Sequence, residues 1–177
     1  MRIIGGTNKG RVLKTPKWDG LRPTSDKLRE TLFNILQARI DGARVLDVFA
    51  GTGAVALEAL SRGAASATCI DNDRRAVALI AENAALCRET DRCAIIRDVA
   101  PRALKHPVPG GPFDIVVLDP PYDFESLDEA VRDAAAQRTA DGIVILEHAS
   151  RVTPPRPDGL TLTRTVKSGD SALTFYS

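Results

Sequence analysis

Val45-Leu46-Asp47-Val48-Phe49-Ala50-Gly51-Thr52-Gly53-Ala54 decides how this chain reads. The apolar run 44–48 predicts a strand. Two glycines then let the backbone turn sharply, and 54–61 predicts a helix that ends at Gly63. A strand, a glycine-rich turn and a helix form the opening unit of an α/β sheet whose ligands lie beyond the strand ends. Alone, the G-x-G loop is equally a tight strand–helix turn, and the third glycine of a dinucleotide fingerprint is replaced by Ala56.

Outward from this stretch, strands and helices alternate. Strands are predicted at 66–70, 94–97, 113–118 and 142–147, and helices at 73–86, near 100–104 and at 126–137. Two closing strands, 161–167 and 172–176, flank a Ser168-Gly169-Asp170-Ser171 turn, while the Pro-rich 153–158 reads as a loop. Near-continuous apolar strands predict a mostly parallel seven-stranded sheet with helices on both faces and an antiparallel edge. In front, 2–4 and 11–14 read as a β-hairpin with a glycine-rich tip. A helix capped by Thr24 or Ser25 follows, with Leu28, Leu32, Ile35, Leu36 and Ile40 at helical spacing. The expected division is a basic hairpin extension over 1–22 and one α/β domain over 23–177.

The composition is that of a soluble globular chain: 177 residues, 44% hydrophobic and 27% charged. No aliphatic run, Ile115 to Leu118 included, approaches the roughly 20 residues of a membrane helix. No apolar leader opens the sequence, and Cys69, Cys87 and Cys93 lack metal-ligand spacing. A reduced, cytoplasmic protein without metal or membrane partner is therefore expected. The net charge of +1 hides an asymmetry. Residues 1–44 hold ten Lys/Arg and four acids, a balance of +6, and residues 45–177 hold fourteen and nineteen, a balance of −5. A basic front on an acidic body suits a polyanionic partner, or simply a solvated surface.

Each of four strands has an acid at or just beyond its end. Asp47 beside the glycine loop would repel a pyrophosphate and attract an ammonium group, which disfavours NAD and favours a zwitterionic ligand such as S-adenosylmethionine. Asp71 can accept both hydrogen bonds of a ribose diol, or cap a helix. Asp73 is the stronger cap. Asp98 can accept from an adenine amino group or serve as a turn residue. The fourth strand runs into Asp119-Pro120-Pro121-Tyr122, the sharpest signal in the chain. Two prolines fix an extended backbone and remove two N–H donors, leaving carbonyls free to accept. With the Asp119 carboxylate and the Tyr122 ring, the set fits a planar amine stacked on an aromatic face.

Asp47-x-Phe49-x-Gly51-x-Gly53, Asp71, Asp98 and Asp119-Pro-Pro-Tyr122 resemble the motif series of class I S-adenosylmethionine-dependent methyltransferases that act on exocyclic amino groups. The front end resembles the RsmD family of 16S rRNA guanine-N2 methyltransferases more specifically. Its carriers are Arg2-Ile-Ile-Gly-Gly6, Gly10-Arg11, Arg22-Pro-Thr24 and Arg29-Glu30-x-Leu32-Phe33-Asn34, joined by 57–64 and Gly169-Asp170-Ser171-x-Leu173.

The resemblance implies a Rossmann-like fold and roles for individual residues. Asp47, Phe49, Gly51 and Gly53 would hold the methionine end of S-adenosylmethionine. Asp71 with Asn72 would take the ribose, and Asp98 with Val99 the adenine. Asp119 and Pro120 would take the guanine amino group, with Pro121 shaping the turn and Tyr122 stacked on the base. Arg2, Lys9, Arg11, Lys14, Arg22 and Arg29 would grip phosphates of 16S rRNA or the small subunit. Arg22 and Arg29 could instead pair with core acids. His106 and His148 are expected to be structural, and the protein a monomer. Two alternatives are an adenine-N6 or cytosine-N4 methyltransferase and a non-catalytic RNA-binding module.

Overall fold

The structure, a computed structural model, describes residues 1–16, 18 and 26–177. The expected caps Thr24 and Ser25, the phosphate contact Arg22 and the boundary at 22/23 lie outside the described residues. Elements run α1 (Asp26–Leu36), β1 (Arg44–Val48), α2 (Ala54–Ser61), β2 (Ser66–Asp71), α3 (Arg74–Cys87) and β3 (Cys93–Arg97). Then come α4 (Ala100–Ala103), β4 (Phe113–Leu118), α5 (Leu127–Ala135), β5 (Arg138–Ala149), β6 (Leu162–Ser168) and β7 (Ser171–Tyr176).

The seven strands form one sheet in the order β3-β2-β1-β4-β5-β7-β6. β1 to β5 pair in parallel, and β7 inserts antiparallel between β5 and β6. The chain starts at the centre with β1 and crosses one way to β3, then returns to β4 on the other side of β1. That reversal opens a crevice between the ends of β1 and β4, the position where open α/β sheets bind ligands.

The apolar runs follow from burial on both faces. Val45, Ile115 and Val117 pack with the α1–α3 residues, whereas Leu46, Val48, Val116 and Leu118 pack with α4 and α5. Burying each such side chain contributes about 1.5–3 kcal/mol, so β4, with Ile115 to Leu118 all at 2% exposure or less, anchors the sheet.

Two local expectations change. β5 extends back to Arg138, beyond the expected 142–147. Its first residues are polar and half-exposed, so no apolar signal marks them. Gly142 allows close approach to β4: a Cβ there would lie 2.8 Å from the Phe113 carbonyl oxygen. α1 stops at Leu36, and Ile40 is buried from the following turn.

The front segment is the expected short hairpin: Arg2 pairs antiparallel with Val12, while Ile3 N–H donates to the Arg11 carbonyl, Gly10 N–H to the Ile3 carbonyl and Leu13 N–H to the Met1 carbonyl. Its tip is docked rather than projecting. Thr7 N–H donates to the Ser61 carbonyl at 2.8 Å, Asn8 N–H donates to Ser61 Oγ, and that hydroxyl donates to the Gly5 carbonyl at 2.6 Å. Helix α2 ends with unsatisfied carbonyls, and the tip supplies a donor for one of them. A Cβ on Gly6 would stand 1.7 Å from that carbonyl oxygen, so only glycine permits the approach.

Candidate active site

The ends of β1, β2, β4 and β5 and the start of α4 surround one cavity of about 700 Å³, within the roughly 300–1,000 Å³ typical of small-molecule sites. It brings together all four acids expected from the strand ends: Asp47, Asp71, Asp98 and Asp119.

The glycine loop has the predicted character. Phe49 has φ 64°, Gly51 56° and Gly53 73°. Gly53 stands at the N-cap of α2 without a side-chain acceptor. Asp47 supplies one from the preceding strand, accepting the Ala56 N–H at Oδ2 over 3.1 Å. Its carboxyl is 2% exposed, and burial pushes its pKa well above the usual carboxylate range, with Asp119 and Asp71 adding repulsion. Asp47 is thus both a helix cap and a buried acid on the cavity wall, and the two readings of it are compatible.

Asp71 ties the loop to β2. Its Oδ2 accepts from Gly51 N–H at 2.8 Å, and its Oδ1 accepts from Asp73 N–H at 2.9 Å. A carboxylate offers about four acceptor positions, so each oxygen keeps capacity for a further donor. Asp73 caps α3 as expected, accepting from Arg75 N–H, and the Arg75 guanidinium lowers its pKa. Asp98 accepts from Val99 N–H at 2.6 Å and pairs with the Arg102 side chain, which holds its carboxyl below the usual range. Val99 beside it is 47% exposed, an apolar face open to a flat ligand.

At the fourth strand end, Asp119 N–H donates to the Val48 carbonyl at 3.2 Å, which keeps the chain extended past β4. Pro120 is buried and Pro121 exposed. Tyr122 is 42% exposed, and its hydroxyl lies 2.7 Å from Ser171 Oγ, joining the loop to the start of β7. Phe124 then packs edge-on against Phe49 at 5.3 Å, so the loops after β1 and β4 share an aromatic contact.

The basic front is only partly as expected. Arg2, Lys9 and Arg11 are exposed, and Arg2 and Lys9 border a shallow groove with Lys27. Lys14 is exposed and paired with Glu82 at 2.8 Å. Arg29 is the correction. It is 0% exposed and donates to the Arg2 carbonyl at 2.6 Å, with Asp26 at 2.9 Å and Glu58 at 3.8 Å. It organises the interior and presents nothing to a phosphate.

His148 is buried between the Ala149 carbonyl at 3.0 Å and the Thr174 hydroxyl at 2.8 Å, and burial lowers its pKa. It is not among the residues that line the cavity. Among the cavity residues that sequence reading missed, four stand out. Trp18 lies under the Arg75 guanidinium at 4.9 Å. Phe124, Ser171 and Glu147 also line the wall. Glu147 carried a readable signal: it is an acid ending an apolar strand, like Asp47 and Asp119.

The family model described as Conserved hypothetical protein 95 matches residues 1–177. Among curated proteins, YlbH of Bacillus subtilis (strain 168), provisionally named an rRNA methyltransferase, is 34% identical over 99% of this chain and 98% of its own. Ribosomal RNA small subunit methyltransferase D of Escherichia coli (strain K12) is 44% identical over 131 residues, 74% of this chain and 65% of its own. Among solved structures, yhhF of Escherichia coli, provisionally named a methyltransferase, superposes with a TM-score of 0.86 at 35% identity, covering 99% of this chain and 96% of that one.

Proposed function

The chain belongs to the RsmD family of class I S-adenosylmethionine-dependent methyltransferases, and from that premise we propose that it methylates the exocyclic N2 amino group of a guanine in 16S rRNA of the small ribosomal subunit. The observation that carries the reading is the convergence of Asp119, the Pro120 backbone and the exposed Tyr122 ring on the cavity that Asp47, Gly51 and Asp71 also line.

The donor set fits the cofactor. Asp47 offers a buried carboxyl whose ionised form an ammonium group would favour. Asp71 retains acceptor capacity for ribose hydroxyls, and Asp98 and Val99 offer an acceptor and an apolar face for adenine. Acids on the cavity wall suit a ligand with two positive centres. When bound, S-adenosylmethionine supplies a methyl group activated by its sulfonium charge.

The protein's own task is the nucleophile. A guanine N2 lone pair is conjugated with the ring and attacks poorly. Accepting hydrogen bonds at Asp119 and the Pro120 carbonyl favours a more pyramidal nitrogen and aims its lone pair. Attack requires reacting atoms about 3–3.5 Å apart, so positioning supplies much of the rate. Asp119 also stabilises the positive charge that develops on nitrogen. Once methylated, that nitrogen is strongly acidic, and Asp119 or water takes its proton. Tyr122 stacks on the base, an interaction worth about 1–3 kcal/mol, and its hydroxyl contact with Ser171 sets the ring plane. The target base must leave its stack to reach this cavity. Arg2, Lys9 and Arg11 supply phosphate contacts that position without reading sequence.

The test offers labelled S-adenosylmethionine with small subunits, naked 16S rRNA and duplex DNA, followed by digestion to nucleosides. N2-methylguanine from rRNA is expected. Label in N6-methyladenine or N4-methylcytosine, or in DNA alone, overturns the reading. Asp119→Ala should retain cofactor affinity and lose at least about a hundredfold in turnover.

A further inference from the structure

Another acid, Glu147, stands at the site. Leu118 of β4 pairs in register with Leu146 of β5, and the next residues along the two strands are Asp119 and Glu147. Both line the same cavity, and Glu147 is 6% exposed. On the far side of β5, β7 brings Leu173 opposite Glu147, two residues from the Ser171 that meets Tyr122. Glu147 therefore sits on the wall beside the proposed amino-group acceptor, on a central strand paired on both sides.

We infer that Glu147 is the specificity-determining residue for guanine, accepting the ring N1–H while Asp119 and the Pro120 carbonyl hold the adjacent amino group. The inference rests on the guanine-N2 reading above and deepens it. The three amino-bearing bases differ at the ring atom beside the amino group. In guanine the 2-amino group neighbours N1–H, a donor. In adenine the 6-amino group neighbours N1, and in cytosine the 4-amino group neighbours N3; both are acceptors. A carboxylate at this place adds a charge-assisted hydrogen bond for guanine. Against adenine or cytosine it sets a lone pair against a lone pair. The Asp-Pro-Pro-Tyr turn offers acceptors to any of the three amino groups, so the neighbouring strand end must make the distinction. A rigid strand is also better suited than a loop to hold a discriminating group in place.

The experiment compares wild type with Glu147→Gln and Glu147→Asp. Unmethylated small subunits and labelled S-adenosylmethionine are used, with products resolved as nucleosides. Cofactor affinity is measured by calorimetry, and thermal stability separately. Gln preserves size but replaces one acceptor oxygen by a donor. Its kcat/KM for guanine should fall about 10- to 100-fold, the range for a lost hydrogen bond to a charged group. Cofactor Kd and Tm should stay near wild type, and the label should shift toward amino groups of adenine or cytosine. Asp keeps the carboxylate and should recover part of the guanine rate with no such shift. Unchanged guanine turnover in Glu147→Gln overturns the inference. So does a loss matched by equal losses in cofactor affinity or Tm, the signature of a purely structural carboxylate. If wild type itself yields no N2-methylguanine, the guanine-N2 reading fails and the inference falls with it.

Discussion

Glu58, in the middle of α2, is a buried hub whose removal should loosen the whole front of the molecule. Its Oε2 accepts from Ile4 N–H at 2.7 Å, and its Oε1 accepts from Gly5 N–H at 2.8 Å and Arg62 Nε at 2.7 Å. Arg29 Nε stands 3.8 Å away, and both side chains of that pair are 0% exposed. In Glu58→Gln one oxygen becomes an NH2 group. If that group takes the Oε2 position it faces the Ile4 N–H, donor against donor, and Arg29 loses a fully buried counter-charge. Breaking a buried pair costs about 3–5 kcal/mol. Arg29 keeps Asp26 and the Arg2 carbonyl, which places the cost at the lower end, about 3 kcal/mol. At about 2–4 °C per kcal/mol for a domain of this size, Tm should fall about 6–12 °C. Hydrogen exchange should show the amides of Ile4 and Gly5 losing protection first. Arg29→Met leaves Glu58 its two backbone donors and Arg62, so it should cost less, and the double variant should cost less than the sum of the singles. A Tm within about 2 °C of wild type for Glu58→Gln, or strict additivity in the cycle, would refute the hub.

Three further outcomes follow from the site. Burial raises the Asp47 pKa above its unfolded value, so ligand-free stability falls as pH rises from the unfolded pKa toward the folded one. Asp47→Asn should therefore raise the ligand-free Tm at neutral pH. In wild type, S-adenosylmethionine affinity should tighten with rising pH, because a cation favours the ionised carboxylate; calorimetry across pH, flat in Asp47→Asn, checks this. Gly53 has φ 73°, and a Cβ would lie 3.0 Å from Ile80 Cγ2, so Gly53→Ala should cost about 1–2 kcal/mol in backbone strain. Thermal melts should show it, with weaker cofactor binding. Lys9→Glu with Arg11→Glu should weaken RNA binding and flatten its salt dependence while leaving cofactor affinity unchanged, as titrations at several salt concentrations will show.

The central layers of this fold were legible because burial on both faces leaves a plain record: β1 and β4 are buried runs broken only by the part-exposed Arg44 and Asp114. The site was legible where chemistry forces unusual residues, as in Asp119-Pro120-Pro121-Tyr122. What escaped has physical causes. The start of β5 is polar because it lies near the sheet rim, so hydrogen bonding rather than apolar pattern defines it. Trp18, Phe124 and Ser171 reach the cavity through tertiary folding, and no local spacing marks them. Arg29 was left open between phosphate contact and core pairing for another reason. A basic residue in a basic segment reads as surface, and the buried acid that settles its place inside, Glu58, lies 29 positions away.

The correction at Arg29 changes how the charge asymmetry works. The +6 of residues 1–44 is not all available to a polyanion, since Arg29 is interior and Lys14 is paired with Glu82. Arg29 instead joins the Arg2 backbone to α1 and α2, so that Arg2 and Lys9 are carried on a frame fixed to the helix that begins at the glycine loop. One helix then serves both proposed sites: its first turn is held by Asp47 on the cavity wall, and its middle and end hold the front segment through Glu58 and Ser61. Phosphates gripped by that segment would be set at a fixed distance from the cavity. A flexible arm of the same charge would add affinity but could not place one base at Asp119.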